Sequence, residues 1–98
     1  MPEELAYPKN VESDSKSLEI VRAWVAHRGL HCSLRPDVWP ADQAAIGWGI
    51  LLSDIARHVA DALAQTYQLD KVATLARMRS VFDKELTTPT AETSGGFE

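Results

Sequence analysis

The sequence contains few of the residues from which metal and redox sites are built. One of its 98 residues is cysteine, Cys32, and three are histidine. A single cysteine excludes an intramolecular disulfide and a cysteine-rich zinc module. No His-Glu-x-x-His or paired Cys-x-x-Cys spacing is present, and neither is a glycine-rich phosphate loop or a Gly-x-Ser-x-Gly elbow. We therefore expect no metal site, no cofactor and no catalytic residues of a known kind.

Basic residues are also scarce. Ten Lys and Arg face 14 Asp and Glu, which gives a formal net charge of -4, and the basic residues are scattered. A nucleic-acid binder needs clustered cations to displace counterions from phosphates. No run of about 20 apolar residues could span a bilayer, and the acidic start "MPEELAYPKN" lacks the apolar stretch of a secretory signal. These absences predict a cytoplasmic protein that binds neither nucleic acid nor membranes.

One folded domain is expected, over residues 18–86. Residues 1–17 include two prolines and the polar run "NVESDSKS" and predict a mobile N-terminal segment, although "LAYP" could add a short edge strand. Residues 87–98, "TTPTAETSGGFE", have the composition of a disordered tail. About 70 residues then remain for the core. A domain of this size buries only about 60% of the surface that its unfolded chain exposes, so its stability is marginal, which favours a homodimer.

A β-hairpin is predicted after Leu18. "LEIVRAWVAH" is rich in β-branched and aromatic residues, and "LHCSLR" alternates apolar with polar positions. A two-residue turn at Arg28 and Gly29 is not expected, because type I′ needs positive φ at both positions and type II′ favours Gly at the first. We expect a three-residue loop instead, with His27 and Arg28 in a type I turn and Gly29 left-handed. This register places two pairs of residues opposite each other, Ala26 with Leu30 and Trp24 with Cys32.

The first strand is apolar on both faces. The face that is predicted to lie away from Trp24 carries Val21, Ala23 and Val25, which is unusual for a hairpin with one face in water. We therefore predict that these three residues form an interface, with a second copy or with the N-terminal segment.

Two helices are predicted to follow. No Gly or Pro occurs from Ile50 to Thr88, and apolar residues at helical spacing fall within an arc of about 120° between about 41 and 67. These residues are Trp48, Leu51, Leu52, Ile55, Val59, Ala62 and Leu63. If this helix continued without a break to about Leu86, its later apolar residues would lie on the side opposite this arc. These residues are Val72, Leu75, Phe82 and Leu86. A break near Gln68–Asp70, with Asp70 as N-cap, lets a second helix turn back. The predicted fold is α+β: a hairpin packed against a long amphipathic helix and a shorter second helix.

The margin of the long helix carries the best candidate for chemistry. Asp54 and His58 are four residues apart and can touch, and Asp61 follows three residues later. A carboxylate that holds an imidazole prepares a general base or a metal ligand. The preferred interpretation is that His58 lies at the wet edge of the core with Asp54 as a surface partner.

Two arginines and a tryptophan are further candidates for ligand binding. Arg22 interrupts an apolar strand face and Arg79 an apolar helix stripe, so each must pair with a carboxylate or receive an anion. The candidate acids are Asp54, Asp83 and Glu85. Internal ion pairs are preferred, and an anion held by both arginines is the alternative. Trp39 lies on a loop between two prolines and could line a pocket, although filling the core or an interface is preferred.

"RAW", "GLHCSLRPD", "WGILLSDIARHVADAL" and the closing "VFDKEL" resemble the short bacterial proteins grouped as domain-of-unknown-function family 5076. The likeness covers about residues 18–86. Within the helix segment, the matching positions are Trp48, Gly49, Leu52, Asp54, Arg57 and His58. The resemblance supports the domain limits and implies no reaction.

The leading hypothesis is a non-catalytic interaction or accessory protein. The alternative is a small-molecule or anion-binding protein, or an enzyme, that uses Asp54, His58 and Arg79.

Overall fold

The order of helices and strands agrees with the predicted α+β class. The computed structural model describes residues 1–97. The elements in chain order are α1 (Lys9–Ser13), β1 (Val21–Ala26), β2 (Gly29–Leu34), α2 (Ala41–Tyr67), α3 (Lys71–Thr87) and β3 (Ser94–Phe97). The strands form one sheet in the order β1-β2-β3. The hairpin, the long helix and the shorter second helix are all present, so the predicted class is confirmed.

The turn of the hairpin differs from the prediction. His27 and Arg28 both have left-handed φ angles, 50° and 64°, and Ala26 pairs with Gly29 across a two-residue turn. The predicted three-residue loop and its register are therefore wrong by one position. Two non-glycine residues in this conformation cost about 1 kcal/mol each. The twist of a type I′ turn matches that of the strands, and the new register sorts the apolar side chains onto one face.

A shift of one residue changes which side chains share a face. Directly opposed residues lie on the same side of the sheet. One face, called here the sheet face, is consequently apolar, and its members are Val21, Ala23, Val25, Leu30, Cys32 and Leu34. The other face carries Arg22, Trp24, His31 and Ser33. The predicted interface residues, Val21, Ala23 and Val25, thus share this apolar face with the apolar residues of β2. The predicted register had placed them beside the polar residues of β2 instead.

The break between the two long helices lies where it is predicted. Gln68 ends α2 in a left-handed conformation (φ 58°), and its N–H donates to the carbonyl of Ala64 at 2.9 Å. The Asp70 carboxylate accepts from the N–H of Ala73 at 2.8 Å, which caps α3. α3 turns back against α2, where Ala60 is 1% exposed. It is the only hydrophobic residue among residues 1–97 that is fully buried.

The third strand comes from the C-terminal tail. β3 runs parallel to β2, with Ser94 opposite His31 and Phe97 opposite Leu34. The prediction of disorder over 87–98 is therefore wrong for 94–97, and Glu98 lies outside the described residues. "SGGF" has little β propensity, but the open edge of β2 offers unpaired backbone groups to any chain that reaches it. Within the described chain, residues 1–17 add the short, exposed α1 and no strand.

The sheet lies apart from α2 and α3 within one chain. No Cα of β1, β2 or β3 lies within 8 Å of a Cα of α2 or α3. The predicted packing of the long helix on the hairpin is accordingly not formed inside a single chain. Each of the two layers leaves much of its apolar side exposed, although N-terminal residues such as Leu5 and Tyr7 lie beside Val21 and Ala23 of the sheet face.

Candidate functional site

The margin of α2 contains ion pairs but not the predicted carboxylate–histidine pair. The Asp54 carboxylate pairs with Arg57, three residues further on. Asp61 pairs with Lys71 at the start of α3, at 3.2 Å. His58 is exposed and has no hydrogen-bond partner in the part of the chain that the structure describes. The carboxylate that was expected to orient His58 is thus held by a neighbouring guanidinium instead.

Arg22 has a carboxylate partner, although none of the predicted ones. Its Nε donates to Oε2 of Glu19 at 3.0 Å, and Glu4 lies 3.9 Å from its Nη1. The guanidinium also lies over the ring of Trp24, 5.6 Å from the centroid. The hydrogen bond that Arg22 donates to Glu19, aided by the negative charge of that carboxylate, raises the pKa of Arg22 above its ordinary value. Arg22 therefore stays charged and satisfied on the polar face of the sheet.

Arg79 is separate from Arg22. It is exposed on α3, and no Cα of α3 lies within 8 Å of one in β1. Within residues 1–97 it forms no ion pair or hydrogen bond. The structure does not bring the two arginines together, and the alternative of one anion held by both has no preformed site in a single chain.

A shallow depression lies beside Arg22. It has a volume of about 280 Å³ and is lined by Glu19, Arg22, Ser33 and Arg35 together with neighbouring strand residues. Arg35 Nε donates to the carbonyl oxygen of Glu19 at 2.9 Å. Sequence reasoning did not identify Glu19 as the residue that binds both Arg22 and Arg35. Glu19 precedes β1, so the alternation of side chains along the strand says nothing about its position.

Trp39 packs against α2. Its ring lies 5.6 Å from that of Trp48 in an edge-to-face arrangement, with an interplanar angle of 77°. Gly47 is buried directly beneath it. These contacts agree with the preferred interpretation of Trp39 as a packing residue. Its role in ligand binding stays a prediction.

His31 and Ser94 form a contact that the sequence did not predict. Ser94 Oγ lies 2.5 Å from His31 Nδ1, and His31 Nε2 lies 3.0 Å from the carbonyl oxygen of Ala26. A carbonyl only accepts, so Nε2 carries the proton and the Ser94 hydroxyl donates to Nδ1. The pair fastens β3 to β2. It was missed because residues 94–97 were assigned to a disordered tail.

Apolar surface is the dominant feature of the chain. On the sheet face Val25 is 85% exposed. On α2, a second uncovered apolar surface, called here the helix stripe, runs along one side of the helix. Its members are Trp48, Leu52, Ile55 and Val59. Of these, Leu52, Ile55 and Val59 are exposed and Trp48 is half-buried. Large uncovered apolar patches mark interaction surfaces, so the sheet face and the helix stripe are the candidate functional site.

No metal-binding arrangement is formed by the described side chains: nowhere in residues 1–97 do three His, Cys, Asp or Glu residues cluster. None of the helices in this part of the chain has the length and apolarity needed to cross a membrane.

The fold and this surface define a class, a small α+β domain with uncovered apolar faces. The chain belongs to the family described as a domain of unknown function (DUF5076), whose model matches residues 4–90. This confirms the resemblance seen in the sequence. A solved structure from the photosynthetic bacterium Rhodopseudomonas palustrus CGA009, described as a "putative pyruvate dehydrogenase", is 32% identical, with a TM-score of 0.68 over 94% of this chain and 91% of that one. No curated protein matches the chain.

Proposed function

We propose that this protein is a cytoplasmic, non-catalytic interaction module that acts as a homodimer. The observation that carries the proposal is the separation of the two layers. The sheet face and the helix stripe are apolar, and neither covers the other within one chain. A second copy is the partner that is always present at the same concentration and carries both complementary faces.

The energetics favour this arrangement. Ala60 alone is a fully buried hydrophobic residue in the described chain, so the isolated chain gains little from the hydrophobic effect. Fully covering one Val, Leu or Ile side chain contributes about 1.5–3 kcal/mol. Since folded domains are stable by only ~5–15 kcal/mol, covering a few such side chains decides whether the chain folds. Association is thus expected to be coupled to folding.

The polar groups give less support to catalysis. Asp54 is paired with Arg57 on the surface, and Arg22 with Glu19. Catalytic groups are usually held in a concave, partly dry site. Asp54 and Arg57 are instead exposed to solvent, and the half-buried Arg22 is neutralised by Glu19.

The proposal is tested by measuring the subunit count. Native mass spectrometry and light scattering after size exclusion are expected to give a dimer. Val25→Lys places a charge on the sheet face and should shift the protein to monomer or unfold it. Ser33→Lys, on the polar face of the same sheet, is the matched control and should remain a dimer. A monomeric wild-type protein, or an unchanged dimer in Val25→Lys, contradicts the proposal.

A ligand-binding or enzymatic function is the second candidate. It is favoured by the description of the 32% identical structure as a "putative pyruvate dehydrogenase", because pyruvate is a small carboxylate and arginines bind carboxylates. The residues that we would assign to such a site are Asp54, His58, Arg79 and Arg22. Thermal unfolding with pyruvate or inorganic phosphate tests this candidate. A midpoint that rises with ligand concentration, and does so less in Arg22→Gln than in the control Arg77→Gln, would favour it.

A further inference from the structure

We infer that the dimer forms by reciprocal exchange, in which the sheet face of each chain covers the helix stripe of its partner. The inference rests on the proposed homodimer and adds the surfaces that meet. It follows from three features: the composition of the two faces, the way Trp39 fixes the start of α2, and the area that exchange would cover.

The sheet face is suited to a dry contact. The observed register gathers six apolar residues on it, and the polar side chains of both strands lie on the other side. Val25 is 85% and Leu30 43% exposed, whereas Val21 and Leu34 are half-buried. The face therefore has an uncovered end near the turn, and it carries no charge that a partner would have to neutralise.

The helix stripe is the matching surface. Leu52, Ile55 and Val59 repeat at the i, i+3 and i+7 positions of one helix face, and all three are exposed. The outer face of α3 is apolar as well, but Arg79 lies among its residues Val72 and Leu86 and is exposed with them. Burying an unpaired guanidinium is costly. The stripe on α2 has no such residue and is the better site for the sheet.

A chain cannot easily place its own sheet on its own stripe. Only residues 35–40 join β2 to α2, and within them Trp39 is held against Gly47 and Trp48. The sheet is thereby tied to the beginning of α2. Ile55, at the middle of the stripe, lies about 21 Å further along the helix axis than Ala41, and no Cα of the sheet lies within 8 Å of one in α2. A second copy that approaches from the other end of the helix meets no such restraint.

The area agrees with a stable two-fold interface. At on the order of 100 Å² per uncovered aliphatic side chain, the five exposed ones on the two faces present roughly 500 Å² on each chain, or about 1,000 Å² over both partners, which reaches the lower bound for a biological interface. A two-fold arrangement uses the same patches on both subunits. One association event then covers four apolar faces.

Cross-linking between the native Cys32 and an introduced cysteine tests the inference. Cys32 lies on the sheet face, and Val59→Cys places a thiol on the helix stripe. Oxidation should join the two thiols between chains, giving a band of twice the chain mass on a non-reducing gel. Val59→Cys combined with Cys32→Ser should lose this band. Arg57→Cys, on the opposite side of α2, is the matched control and should cross-link several-fold less. Ile55→Cys is a second reporter if Val59→Cys does not fold.

The outcomes separate the inference from the proposed function. An interchain link that requires both thiols supports reciprocal exchange. An internal disulfide in a species of single-chain mass overturns it, because the sheet would then cover its own helix. A dimer by light scattering in which neither reporter links to Cys32 overturns the exchange and leaves the homodimer standing. A monomer by light scattering overturns both.

Discussion

Gly47 and Trp39 fit together so closely that residue 47 has no room for a side chain. Gly47 is buried in α2, and a Cβ at this position would overlap ring atoms of Trp39. Gly49, one half-turn away on the same helix, has no heavy atom within 4 Å of such a Cβ. The contact between a loop tryptophan and a helix glycine fixes the direction in which the chain enters α2.

Gly47→Ala should destabilise the protein. Overpacking costs about 1–3 kcal/mol, and the gain in helix propensity of ~1 kcal/mol offsets only part of it. Gly49→Ala is the matched control and should stabilise, because it adds the helix propensity without a clash. Urea unfolding followed by tryptophan fluorescence measures both. In a Trp39→Ala background the penalty at residue 47 should disappear; a penalty that persists there would mean that another contact is responsible.

The turn of the hairpin gives a second prediction. Arg28 has a φ of 64°, so Arg28→Gly should relieve left-handed strain and stabilise by about 0.5–1 kcal/mol. Gly29 does not have a positive φ, and a Cβ there would meet its nearest heavy atom at 3.8 Å. Gly29→Ala should consequently be tolerated. A large loss from Gly29→Ala with no gain from Arg28→Gly would instead favour the three-residue loop. Thermal unfolding of both variants decides between the two turns.

The cap of α3 gives a third prediction. Asp70→Ala removes the acceptor for the N–H of Ala73 and should cost about 1 kcal/mol. Asp70→Asn keeps a capping side chain and should be close to wild type. The free energy of unfolding in urea is the measurement. Equal losses in the two variants would show that the negative charge, and not the hydrogen bond, stabilises this helix end.

The margin of α2 gives a fourth prediction. Asp54→Ala removes an exposed ion pair with Arg57, and exposed pairs contribute about 0.2–1 kcal/mol. His58→Ala removes a side chain without a hydrogen-bond partner in the described chain and should change stability by ~0.5 kcal/mol or less. Both variants should keep the wild-type subunit count in light scattering. A different result would favour the second candidate function. In that case a ligand would raise the unfolding temperature of the wild-type protein, and Asp54→Ala and His58→Ala would both lose this rise.

The helices could be predicted from sequence because their signals are local. The spacing of Trp48, Ile55 and Val59 defined the stripe, and the helical phase of Val72 and Leu86 required a break that Asp70 could cap. The break is observed at Gln68. Both features depend only on residues that are near one another in sequence, where periodicity and capping are most informative.

The sheet was predicted less well because its pattern depends on pairing. Turn propensity favoured a left-handed Gly29 after a type I turn, whereas His27 and Arg28 are the left-handed residues; collecting Val25, Leu30 and Cys32 on one face outweighs that local cost. The strand at Ser94 pairs through its backbone and leaves no apolar pattern to read. The contact between Asp54 and His58 was predicted incorrectly for a related reason: Arg57 is an equally near partner for Asp54, and spacing alone does not rank the two.

The C-terminal strand also limits how many copies can join through their sheets. β3 is four residues long, contains two glycines and covers the outer side of β2. Its own outer side is therefore a short and weak template for another strand, and β1, which has N-terminal residues such as Glu4 beside it, is the longer edge strand. If each copy can pair with another only through β1, two copies use up their available edges when they join. A third copy then has no edge to which it could add, so no filament forms. By this account, the tail protects a chain with much apolar surface from fibrillar aggregation, and its removal should make the protein prone to it.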